Sequence, residues 1–156
     1  MKTDAILSSC RLYRYALWRT WDESKDKVMF IGLNPSTADE TEDDRTISRC
    51  ISYAKQWGYG GIIMGNLFAF RTPSPAEMIS AEDPIGEKND YWLKRLANNS
   101  ALVVGMWGNS GAFLGRSEKV SAMFPNLHCL WLTKAGQPHH TRGLPDGIKA
   151  VPYSRR

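Results

Sequence analysis

Val28-Met29-Phe30-Ile31-Gly32-Leu33-Asn34-Pro35-Ser36-Thr37 is the stretch that decides the fold. The run 28–33 has no polar interruption and is too short for an ordinary helix, which fits a strand buried on both faces. Asn34-Pro35 then stops it, because proline removes a backbone donor and restricts the residue before it. The same pattern recurs at 62–68, at 101–106 and at 127–132. Between these runs the apolar spacing is helical. Ile47, Cys50, Ile51 and Ala54 fall on one face of 46–57, and Trp92, Leu93 and Leu96 on one face of 89–96. A further helix over 112–124 is halted by Pro125. The order β-α-β-α-β-α-β predicts an α/β sheet with crossover helices, in one domain covering 1–156.

Composition sets the outer bounds. A chain of 156 residues with 42% hydrophobic and 23% charged residues can bury its own core. No apolar run is long enough to span a membrane and no secretory h-region opens the chain, so a cytoplasmic, monomeric protein is expected. The three cysteines, Cys10, Cys50 and Cys129, are scattered, with no C-x-x-C spacing. Neither a disulfide framework nor a metal site is expected, and no cofactor. A net charge of +4 suits a polyanionic partner without requiring one.

In open parallel sheets, ligands bind beyond the carboxyl ends of the strands. Those ends here carry Asn34-Pro35-Ser36-Thr37, then Asn66 with Phe68, Phe70 and Arg71, then Trp107-Gly108-Asn109-Ser110, and last Thr133-Lys134 leading to Pro138-His139-His140. Asn34 either holds a water or a substrate group, or caps loop backbone. Asn66, within an apolar strand, must find partners for its amide; it either reads a base edge or ties the strand to a loop. Phe68 and Phe70 share a face at period two and either stack on a flat base or fill the core. The glycines around Trp107 and Ser110 bring backbone amides to a helix start, as an anion site needs. No G-x-x-x-x-G-K-[ST] loop occurs, which argues against an NTPase. His139 and His140 offer accessible ring nitrogens on a polar loop, though adjacent histidines point apart and one at most is expected to act. Asp43-Asp44-Arg45 reads as a helix start with acids at its N-terminus, or as a metal or substrate contact.

In order along the chain, these pieces resemble the uracil-DNA glycosylase superfamily. Gly32-Leu33-Asn34-Pro35-Ser36 is similar to the G-I-N-P-G motif of the mismatch-specific branch. The stretch 63–70, with Asn66, resembles the strand that ends in a base-reading asparagine, and Gly105-Met106-Trp107-Gly108 resembles a third strand ending in L-W-G. Pro138-His139-His140-Thr141 is a loose match to the closing H-P-S motif, without its Pro-Ser. The chain also looks like a member of a bacterial and phage family marked by L-N-P-S-T-A-D, D-x-T-I-x-R-C, W-G-Y-G-G and L-T-K-x-G-x-P.

The superfamily resemblance implies a three-layer α/β/α sandwich around a central, mostly parallel four-stranded sheet. It implies a DNA glycosylase that flips a uracil-like or modified pyrimidine into the strand-end pocket and hydrolyses the N-glycosidic bond, in repair or in defence against phage DNA. Asn34 and His140 would be the catalytic pair, Asn34 positioning water and His140 hydrogen-bonding the departing base. Gly32, Leu33, Pro35, Ser36, Asn66, Phe68, Phe70, Trp107 and His139 would contact the substrate. Arg71, Ser110, Lys134, Arg142 and the terminal arginines Arg155 and Arg156 would hold DNA phosphates. Lys134 as a Schiff-base nucleophile is a further alternative. An amide cannot serve as an efficient general base, so a slow enzyme is expected unless Asp39 or Asp44 assists. No tyrosine follows Asn34-Pro35 to shut out the methyl of thymine, so the pocket accepts a larger base. The rival readings are an inactive nucleic-acid- or protein-binding domain of the same fold, and an enzyme acting on free nucleosides or nucleotides.

Overall fold

The strand around Ile31 sits at the centre of a seven-stranded sheet in the computed structural model, which describes residues 1–153. Arg155 and Arg156 lie outside the described residues. The strands are β1 (Lys2–Leu7), β2 (Arg14–Thr20), β3 (Lys27–Gly32), β4 (Gly61–Asn66), β5 (Leu102–Gly105), β6 (His128–Cys129) and β7 (Val151–Pro152). They lie in the order β1-β2-β4-β3-β5-β6-β7. The pairs β3–β4, β3–β5 and β5–β6 are parallel, whereas β1–β2, β2–β4 and β6–β7 are antiparallel. The α/β class therefore holds, but the sheet is mixed and larger than the four strands expected.

The added strands have a physical explanation. β2 reads Arg-Tyr-Ala-Leu-Trp-Arg-Thr, and its two arginines disguise a strand that is buried almost throughout. Both guanidinium groups are taken up by the fold. Arg19 donates to the carbonyls of Trp18, Asp39 and Glu42 and pairs with Asp43 at 2.7 Å. β7 is only two residues long, too short to show a period.

The sheet separates two clusters of core residues. Val28, Phe30, Ile62 and Met64 pack with Ile47, Cys50, Tyr53 and Ala54 of α1 (Arg45–Gln56). Met29, Ile31 and Ile63 pack instead with Met78 of α2 (Pro75–Ser80), Leu93 and Leu96 of α3 (Asn89–Asn98), and Val120 of α4 (Arg116–Met123). Alternate residues of β3 thus serve opposite faces, as the pleat requires. Asp44 caps α1 by accepting from Ile47 N at 2.9 Å, which explains where that helix begins. The helix expected over 112–124 starts instead as a 3₁₀ turn, Asn109–Gly115, broken where Leu114 takes a positive φ of 55°. Among the described residues, no helix is long and apolar enough to cross a membrane.

Candidate functional site

The register of the parallel strands builds the site. Gly32 pairs with Asn66 across β3 and β4. The ladder then continues past the strands, with Leu67 N donating to Gly32 O and Phe68 N to Leu33 O, each at 2.9 Å. A Cβ at position 32 would stand 2.9 Å from Asn66 Nδ2, so any larger residue there would displace the Asn66 amide. Above this junction opens a cavity of about 510 Å³, within the range of small-molecule sites. Gly32, Leu33, Asn34, Pro35 and Ser36 line it from the β3 loop, and Asn66 from the end of β4. Trp107, His139, His140 and Arg142 close it from the loops after β5 and β6.

Asn34 is fixed by its amide nitrogen, which donates to the carbonyls of Thr72 (2.9 Å), Pro35 (3.2 Å) and Phe70 (3.4 Å). Turning the carboxamide over would set oxygen against three carbonyl oxygens, so the orientation is determined. Its Oδ1 takes no hydrogen bond from the described residues and is the group left to hold a water or ligand. The loop-capping role weighed for this residue thus falls to its nitrogen alone. Asn66 is buried, and its Oδ1 accepts from Arg14 Nη2 at 3.3 Å. That contact turns Nδ2 toward Gly32 and presents a donor at the cavity floor.

The two histidines have tautomers set by the backbone. His140 Nδ1 accepts from the Arg142 N–H at 3.0 Å, so the neutral ring carries its proton on Nε2, 3.5 Å from Thr46 Oγ1. Burial, with help from Arg142 and His139, lowers the His140 pKa, and Asp44 opposes the shift weakly. The site therefore favours a neutral His140 whose Nε2–H is a donor. His139 shows the reverse pattern, its Nδ1 facing the carbonyl of His140 at 2.5 Å.

Several residues expected here lie elsewhere. Phe68 is fully buried in the core and packs on Phe113 at 5.6 Å, so it does not reach the cavity. Phe70 sits edge-on to Tyr13 at 5.9 Å, outside the lining. Arg71 is drawn back to the carbonyl of Arg11. Ser110 and Lys134, expected at DNA phosphates rather than at the base, are exposed outside the cavity lining. Trp107 lines it, but its Nε1 is committed to Gln137 (3.0 Å) and Ser117 (3.2 Å), so the indole serves as a wall.

The residue that sequence reasoning missed is Arg14. It lines the cavity from β2, is 3% exposed, and donates to Ala38 O (2.9 Å) as well as to Asn66. No carboxylate of the described residues pairs with it within 4 Å, and its Nε has no partner. Burial pulls its pKa down to about 10, with Asp44 opposing. The signal was an arginine at the head of an apolar run, 14–18, where no charge belongs without a task. Arg45 and Asp44 also line the cavity, whose charged side chains are thus mainly cationic. Met64, Met106 and Leu33 supply apolar surface. Among the described residues, no three His, Cys, Asp or Glu side chains are grouped as metal ligands would be.

Comparison with curated proteins and with solved structures gives no match. One family model does match, over residues 14–141, a span that begins at Arg14 and ends just beyond His140. The whole cavity lining but Arg142 falls inside it. That match covers most of the chain, which therefore belongs to the family described as protein of unknown function DUF1643.

Proposed function

We propose that this chain is a DNA glycosylase with the three-layer sandwich of the uracil-DNA glycosylase kind, excising a uracil-like or modified pyrimidine. The observation that carries the reading is the convergence of Asn34, Asn66 and His140, from two loops and the end of β4, on one base-sized cavity. In this reading a flipped base enters between the apolar side chains of Leu33, Met64 and Met106. Thioether contacts with the ring take the stacking role that Phe68 and Phe70 do not fill. Asn66 Nδ2 and Arg14 meet acceptor atoms of the base, and Asn34 Oδ1 holds the attacking water. As the glycosidic bond breaks, negative charge grows on the base. His140 Nε2–H and the unpaired cation of Arg14 stabilise it, in a site where preorganised donors count most. Arg142 and Arg45 at the rim suit flanking phosphates.

The test is a mass-spectrometric search for free bases. Purified protein is incubated with duplexes carrying uracil, mismatched thymine, hypoxanthine or hydroxymethylated pyrimidines, and with modified phage DNA. Release of one base, lost in Asn34→Ala, is the expected result. Binding without release would leave a nucleic-acid-binding domain. The cationic lining also suits a free nucleotide, and turnover of mononucleotides unaffected by duplex would favour that second reading.

A further inference from the structure

We propose that His139 is the general base of the reaction, working opposite His140 as the donor to the departing base. The inference rests on the glycosylase reading and supplies what that reading lacks. Asn34 cannot remove a proton from water at any useful rate, because an amide is not a base in the physiological range.

The nearby carboxylates are turned to the backbone. Asp39 Oδ1 accepts from Thr41 N (2.9 Å) and Glu42 N (2.8 Å), and Asp39 does not line the cavity. Asp44 lines it, but Oδ1 caps α1 through Ile47 N and Oδ2 faces Ala38 N at 3.4 Å. The histidines face the same cavity, and the backbone has given them complementary forms. A carbonyl only accepts, so the contact from His139 Nδ1 to His140 O places a proton on that nitrogen. Neutral His139 therefore holds its lone pair on Nε2, which meets no partner among the described residues. A backbone N–H only donates, so the Arg142 contact places the lone pair of His140 on Nδ1 and its proton on Nε2. Two adjacent residues of the cavity lining thus carry one ring acceptor and one ring donor.

The step balances without another reactant. His139 Nε2 takes a proton from water as the water oxygen bonds to C1′ of the sugar. The C1′–N bond breaks, and its electron pair leaves on the base, which accepts from His140 Nε2–H. The products are the base anion hydrogen-bonded to His140, an abasic sugar and a protonated His139, whose proton then neutralises the base directly or through solvent. The charged and titratable groups around the cavity are Arg14 from β2, Asp44 and Arg45 at the start of α1, and His140 and Arg142 on the same loop.

The test follows single-turnover base release against pH on whichever duplex of the panel above is cut. In His139→Gln the rate should fall ~10²–10⁴-fold, the usual worth of a general base, and the acidic limb of the profile should vanish. In His139→Ala, added imidazole should restore a measurable part of the rate. Long-range ¹H–¹⁵N spectra of the free protein should show His139 protonated on Nδ1 and His140 on Nε2. A wild type that cuts, with His139→Gln retaining both rate and acidic limb, overturns the proposal and spares the glycosylase reading. So does the opposite tautomer of His139. A wild type that releases no base from any DNA in the panel overturns both.

Discussion

His140 shows how much of this site depends on single contacts. Burial and the nearby cation of Arg142 oppose a second proton on its ring and lower its pKa. The consequence for stability has a definite sign. A histidine whose pKa is lower folded than unfolded binds more protons in the unfolded chain, so its contribution is present above about pH 6.5. It is lost as pH falls from there through the lowered folded value. Urea unfolding at pH 8 and pH 5.5 should therefore show a smaller acid-induced loss in His140→Gln than in wild type. An equal loss in both would place the acid sensitivity elsewhere. Asn34, Asn66 and His140 were legible in the sequence as polar residues following apolar runs. Phe68 was misplaced because the period-two argument holds only within a strand. β4 ends at Asn66, and Leu67 and Phe68 beyond it both enter the α2–α4 face of the core. Arg14 was illegible for a related reason: its role depends on a strand that its own charge concealed.

Among the elements, α1 links stability to the site most directly. Asp44 caps it, lines the cavity and lies beside the loop carbonyl and amide of Ala38, which Arg14 and Asp44 hold from opposite sides. Asp44→Ala should destabilise the protein by ~1 kcal/mol, the ordinary worth of such a cap, while Asp44→Asn should restore most of that loss. Chemical denaturation of the three proteins decides it; a loss well above ~2 kcal/mol would mean that Asp44 chiefly balances the buried Arg14 charge. The helical spacing of 46–57 and the four central runs were enough to find α1 and β3–β6. The edge strands escaped because β1 is half polar along its length and β7 has only two residues. Such elements exist through pairing with a neighbour already in place, which no local pattern records.

At the scale of the whole molecule, a net charge of +4 matters less than its placement. Arg14, Arg45 and Arg142 all line the cavity at the carboxyl ends of the parallel strands, with Asp44 the one acid among the lining residues. If Arg142 meets a phosphate, Arg142→Ala should weaken binding to DNA of any sequence. It should also flatten the plot of log K against log salt by ~1. Fluorescence titration across salt concentrations measures this, and an unchanged slope would remove Arg142 from the phosphate track. The hydrogen bonds that carry the ladder beyond the strands, from Leu67 N to Gly32 O and from Met106 N to Ile31 O, have a bearing on motion. They join the floor of the cavity to the sheet's central strands, so those amides should exchange with deuterium only when the entire chain unfolds. In the 139–142 segment the amides of His139 and Arg142 are each held by one bond, to Trp131 O and to His140 Nδ1, so they should exchange sooner than those of the central ladder. If the cavity takes a ligand, its choice then belongs to a rigid floor, and the pace of its coming and going to the more lightly tethered 139–142 wall.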